Sequence, residues 1–178
     1  MILKKVISLS LAIGICSLLF GCGDNNTTSQ PEKQSKETVV ETYMDAFMKC
    51  DAEQLLSLVP DSCKSYLKKD YSSDEEFEKK VEETLISNHN GSVSNYDYNS
   101  SFEDDEDSTD FLTDFLSKYG FTGKIIEAHS VKITLKVDEQ IAKDHFGGET
   151  VNYISDYIFE CDDEQWYSYT ATCYAAIY

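Results

Sequence analysis

At Gly120 the spacing of apolar residues changes from a period of about 3.6 to a period of 2. Before it, Val39, Val40, Tyr43, Met44 and Phe47 recur at helical spacing. So do Phe77, Val81 and Leu85, and then Phe111, Leu112, Phe115, Leu116 and Tyr119. After it, Val131, Ile133, Leu135 and Val137 alternate with Lys132, Thr134 and Lys136. A segment with period 2 buries one face only as a strand, here a half-buried antiparallel one. Helices followed by antiparallel strands predict an α+β fold, with N-terminal helices packed on one face of a curved sheet.

The helix boundaries are written in local signals. Thr38-Val-Val-Glu41 reads as a capping box that starts the first helix near Lys36. Asp51, with Gln54 three residues on, caps a short helix holding Leu55, Leu56 and Leu58, and Pro60 stops it. A third short helix holds Tyr66 and Leu67, and Ser73-Asp-Glu-Glu76 opens a fourth. Residues 88–101 read as a turn-rich loop, and Gly120 closes the helix that follows it.

In the strand region Ile125 is in phase with Val131, whereas Ile126 and Ala128 are not, so a bulge is expected near His129-Ser130. Residues 138–148 form a connection with a short helical turn. Two strands, Val151 to Cys161 and Gln165 to Cys173, flank the turn Asp162-Asp163-Glu164. In that register Tyr153, Tyr157, Phe159 and Cys161 share the main apolar face with Tyr167, Tyr169, Ala171 and Cys173. The helices are expected to cover this face. Trp166, at the start of the last strand, is expected to be at least partly buried.

The first 35 residues stand apart from this pattern. Lys4 and Lys5 precede an apolar stretch from Val6 to Phe20, too short for a comfortable membrane span. It ends in Leu19-Phe20-Gly21-Cys22, with an apolar residue three places before the Cys and a small one directly before it. This resembles a bacterial lipoprotein signal. The resemblance implies cleavage before Cys22 and a diacylglycerol on its sulfur, and two acyl chains suffice for stable anchoring. Residues 1–21 are then the signal peptide, and 22–35 a polar tether that cannot bury anything. Residues 36–178 form one α+β domain with an acidic insertion around 88–110. The expected place is the extracytoplasmic face of the cell membrane.

Charge narrows the partners. The chain of 178 residues has a net charge of −18, and all 15 basic residues are Lys. A surface so acidic and without Arg excludes nucleic acid as a partner. It is also repelled by anionic headgroups, so the lipid on Cys22 has to supply the membrane attachment.

Residues 37–59 (ETVVETYMDAFMKCDAEQLLSLV) and 157–173 (YIFECDDEQWYSYTATC) resemble the opening helices and the last hairpin of ketosteroid-isomerase-like, or nuclear-transport-factor-like, domains. The resemblance implies a cone-shaped cavity between sheet and helices, where the family's enzymes place an acid–base group. His129, His145, Asp156 and Tyr43 are the candidates, and none sits in a motif that matches residue by residue. Tyr43, Tyr153, Tyr157, Tyr167, Tyr169 and His129 are the candidate pocket lining, because tyrosine joins an apolar ring to a hydroxyl. No nucleophile elbow, phosphate loop or metal-ligand spacing occurs, so neither a cofactor nor a metal is expected.

Two further patterns stay open. Asn95, Asp97, Asn99 and Glu106 have the spacing of a calcium loop, but position six is Ser100 in place of Gly. A solvated acidic loop leading into a helix N-terminus is the preferred reading. Cys50, Cys63, Cys161 and Cys173 allow three complete pairings. In the expected hairpin Cys173 lies about 26 Å from Cys161, which removes that pair. Cys50–Cys63 and four reduced thiols both remain. Functionally the chain reads as a non-catalytic binding or interaction module, with a small-molecule isomerase or dehydratase as the alternative.

Overall fold

Helices lead the described part of the chain, which in the computed structural model comprises residues 34–104 and 108–177. The signal peptide, Cys22, nearly all of the tether and Glu106 lie outside the described residues. The order is α1 (Lys36–Lys49), α2 (Ala52–Leu56), α3 (Asp61–Leu67) with a 3-10 turn (Lys68–Asp70), and α4 (Asp74–His89). Then come β1 (Asp97–Asp104), α5 (Ser108–Ser117), β2 (Ile125–Lys136), α6 (Glu139–His145), β3 (Val151–Cys161), β4 (Trp166–Ser168) and α7 (Tyr169–Ala175). The four strands form one antiparallel sheet in the order β1-β2-β3-β4. The fold is α+β, as the change of period requires.

The caps act where the sequence places them, with one shift. Asp51 accepts the Gln54 N–H at 2.9 Å, and the Ser73 hydroxyl accepts the Glu76 N–H at 3.2 Å. The cap of α1 is Ser35, three residues before the expected Thr38; its hydroxyl accepts the Thr38 N–H at 3.3 Å.

Part of the sheet is buried on both faces, and this settles the phase problem in β2. On one face Val131, Ile133, Leu135, Ile158 and Trp166 pack with Val39, Tyr43, Met44 and Phe47 of α1. On the other, Leu112 and Leu116 of α5 pack with Ile125, Ala128, Phe159 and Tyr167. Burying each such aliphatic side chain stabilises the fold by about 1.5–3 kcal/mol. The bulge lies between Ile125 and Glu127, not near His129-Ser130. Ile126 is the extra residue and is turned to solvent, so that Ile125 and Ala128 both meet α5. From His129 on, the regular pleat sends odd residues to the α1 side. Ile154 and Ile158, which the register puts on the face opposite the expected apolar one, face α1, with Ile158 buried in that core and Ile154 half-buried against it.

Two expected elements are replaced. The segment read as a turn-rich loop contains β1, an eight-residue edge strand pairing from Asp97↔Lys136 to Asp104↔His129. Its side chains are mostly exposed, so the pairing with β2 and not burial holds it. The second hairpin strand ends at Ser168, and residues 169–175 are helical. Ser168 caps α7 by accepting the Ala171 N–H at 2.9 Å, and Asp156 of β3 accepts the Thr170 N–H at 2.8 Å. Tyr169, Ala171 and Cys173 therefore belong to a helix and not to a strand, and of the three only Tyr169, at its first turn, still packs with Tyr157 and Tyr167. The turn itself forms as expected, with the Cys161 N–H donating to the Gln165 carbonyl at 3.0 Å.

Candidate functional site

The six residues expected to line one pocket are dispersed over four places. Tyr43 is 1% exposed, stacked on Phe47 at 5.8 Å in the helix-side core. Burial holds its hydroxyl well above the usual tyrosine range, with the Asp156 charge adding to the shift. Tyr157, Tyr167 and Tyr169 sit with α5. Tyr169 lies edge-on to Phe115 at 4.7 Å and meets Tyr157 at 6.0 Å. Tyr167 donates its hydroxyl to Asp163 at 2.6 Å. Tyr153 is 82% exposed on the remaining part of that face.

His129 forms a separate cluster. It is 3% exposed and stacked on Trp166 at 5.7 Å, with Phe102 edge-on at 6.4 Å. Its Nε2 lies 2.6 Å from Glu127 Oε1 and 3.3 Å from Lys36 Nζ. One nitrogen cannot donate to Glu127 and accept from Lys36 together. Nδ1 lies 2.9 Å from Asp104 Oδ1 without hydrogen-bond alignment. The ring ties the start of α1 to β1, β2 and β4. His145, the other histidine candidate described, ends α6.

Asp156 is a buried carboxylate, 3% exposed. It accepts from the Ser168 hydroxyl at 2.7 Å and from the Thr170 and Tyr157 N–H groups. Burial raises its pKa, and these hydrogen bonds pull against the rise. Every oxygen is occupied in joining β3 to α7, so the acid is structural.

The four thiols are free, and the Cys50–Cys63 pairing is not formed. Cys50 is the left-handed cap of α1, and α2 carries the chain on to set Cys63 within electrostatic range of Cys161. Burial pushes Cys63 up to about 11; burial and the neighbouring acids push Cys161 up to about 12. The calcium spacing is undone by β1. Asp97 and Asn99 stand on an extended strand, which cannot fold round one ion.

What the fold does assemble is an open part of the sheet. Pairing register sets Asn99, Thr134 and Tyr153 in one row across β1, β2 and β3, and Ser101, Lys132 and Ser155 in the next. These six line an open-sided cleft of about 410 Å³, within the ordinary range of ligand sites. Two strand spacings and one two-residue step make its floor roughly 10 by 7 Å. Among the described residues, the side chains of Asn99, Ser101, Thr134, Tyr153 and Ser155 make no hydrogen bond. Lys132 is paired with Glu103 at 2.7 Å. Of this set the sequence pattern points to Tyr153 alone. Thr134 and Lys132 are legible as outward positions of β2, but Asn99 and Ser101 fall in the supposed loop.

Comparisons with protein-family models, with curated proteins and with solved structures return no match.

Proposed function

We propose that this chain is an extracytoplasmic lipoprotein, held to the membrane by lipid on Cys22, and that its domain is a binding module using the open face of the sheet. The observation that carries the binding role is the set Asn99, Ser101, Thr134 and Ser155, whose side chains make no hydrogen bond among the described residues, beside the exposed ring of Tyr153. On the helix side, where a ketosteroid-isomerase-like domain would hold its reacting group, Val131, Ile133 and Leu135 meet α1 in a packed core. This favours binding over the isomerase or dehydratase alternative on the same scaffold.

Two measurements test the proposal. Metabolic labelling with a fatty acid should mark the wild type and not Cys22→Ala, which should leave the membrane fraction or persist as precursor. Label retained in the variant removes the anchor. For the site, a thermal-shift screen of small polar compounds is run on the full chain and on Tyr153→Ala/Ser155→Asp. A ligand at a hundredfold excess over its Kd should stabilise the wild type by about 2.7 kcal/mol. The double variant should lose that gain. Stabilisation that survives it places the ligand elsewhere.

A further inference from the structure

We infer that the open face of the sheet recognises a neutral saccharide. This rests on the binding reading above and names the ligand class of the same cleft. The surrounding protein carries −18, so an anionic ligand is repelled on approach. The cleft floor contains no carboxylate to hold a cation, and its one ammonium, that of Lys132, is already neutralised by Glu103 at 2.7 Å. The ligand that fits is therefore uncharged.

Its polarity follows from the lining. Asn99, Ser101, Thr134 and Ser155 present groups that both donate and accept, and among the described residues none of these side chains is engaged. An apolar ligand would strip water from four such groups and return nothing, at a cost for each. A polyhydroxylated ligand replaces that water bond for bond. Tyr153 supplies the other half of the recognition. Its ring, 82% exposed, stands at the end of the row Asn99–Thr134–Tyr153. A pyranose ring has a face of C–H groups and a rim of hydroxyls. It can lay the first on an aromatic ring while its rim meets the strand side chains. A floor of roughly 10 by 7 Å accommodates one or two sugar rings. The flat, open-sided floor suits an internal segment of a longer glycan more than an enclosed monosaccharide.

The experiment is isothermal titration of the full chain in detergent, with amide chemical-shift mapping of the same samples. The probes are three neutral tetrasaccharides (β-linked glucose, α-linked glucose and N-acetylglucosamine), a uronic-acid tetramer and a glucosamine tetramer. At least one neutral tetramer should bind with Kd at or below about 1 mM. The shifts should map to residues 99–101, 132–134 and 153–155. Tyr153→Ala should weaken it about tenfold, the scale of one aromatic contact, whereas Tyr153→Phe should keep most of the affinity. Because Tyr153 is exposed, both variants should retain the wild-type unfolding midpoint. Preference for either charged tetramer, or unchanged affinity in Tyr153→Ala, overturns the inference. If no tetramer binds but a compound from the thermal-shift screen does, and the double variant abolishes it, the saccharide is wrong and the binding face stands. If nothing is lost in the double variant, both fall.

Discussion

Asp156 shows how one residue can decide an element. Its carboxylate is buried and takes three hydrogen bonds, two of which define the start of α7. Asp156→Ala leaves the Ser168 hydroxyl and the Thr170 N–H without that acceptor, at about 1–3 kcal/mol for each buried group left bare. The same residue has a pH signature. Its folded pKa is raised by burial above its unfolded value. Between the two values the native state binds a proton that the unfolded chain has lost. The contribution of Asp156 therefore falls as pH rises through that window and is unfavourable at neutral pH. Asp156→Asn removes this titration and keeps one acceptor oxygen. The difference in unfolding free energy, wild type minus Asp156→Asn, should decline from low pH to neutral. Denaturant melts at closely spaced pH values would show it, and a difference that climbs with pH would contradict the buried placement.

At the scale of elements, the exit from α5 depends on one glycine. Gly120 has φ +82°, and a Cβ there would lie 2.4 Å from the Cβ of Tyr66 in α3. Gly120→Ala thus combines left-handed strain, about 1–3 kcal/mol, with a clash against a helix that cannot yield cheaply. Gly147, with φ +61° and nothing within 4 Å of the added atom, is the control with strain alone. Urea melts should rank Gly120→Ala clearly below Gly147→Ala. Equal losses would mean that the loop does not rest on α3 in solution. Trp166 belongs to the same scale. The sequence places it buried at the start of the last strand, and it is buried there, stacked on His129.

At the scale of the molecule, charge outweighs any single contact. A net −18 repels itself in the compact state, and the exposed pairs Lys49–Asp45, Lys80–Glu83 and Lys132–Glu103 offset little of this. Added sodium chloride should therefore raise the thermal midpoint up to about 0.1–0.2 M, where the screening length falls to about 8–10 Å. Calcium should do no more than its ionic strength explains, because Asp97 and Asn99 lie on an extended strand. A calcium-specific rise, absent in magnesium, would reinstate a metal site in the acidic segment.

The same ordering by scale separates what was legible in the sequence from what was not. Features fixed within four residues were readable. The caps at Asp51 and Ser73, the helical stripes, the alternation in β2 and the turn at residues 162–164 all form where local chemistry puts them. Features that depend on a distant partner were not. β1 has no apolar alternation of its own and is a strand only because β2 offers it a ladder. Residues 169–175 alternate like a strand but form a helix, because Asp156, fourteen residues before Thr170, accepts that residue's N–H. The second apolar face of the sheet exists because α5 folds back onto it. Where α5 ends, the face is left open, and that boundary places Tyr153 at a cleft while Tyr157, four residues on, is packed among aromatics. Caps and periodicity are bonds a segment makes with itself. Pairing, burial and the open surface they leave are relations between segments, and only the folded chain sets them.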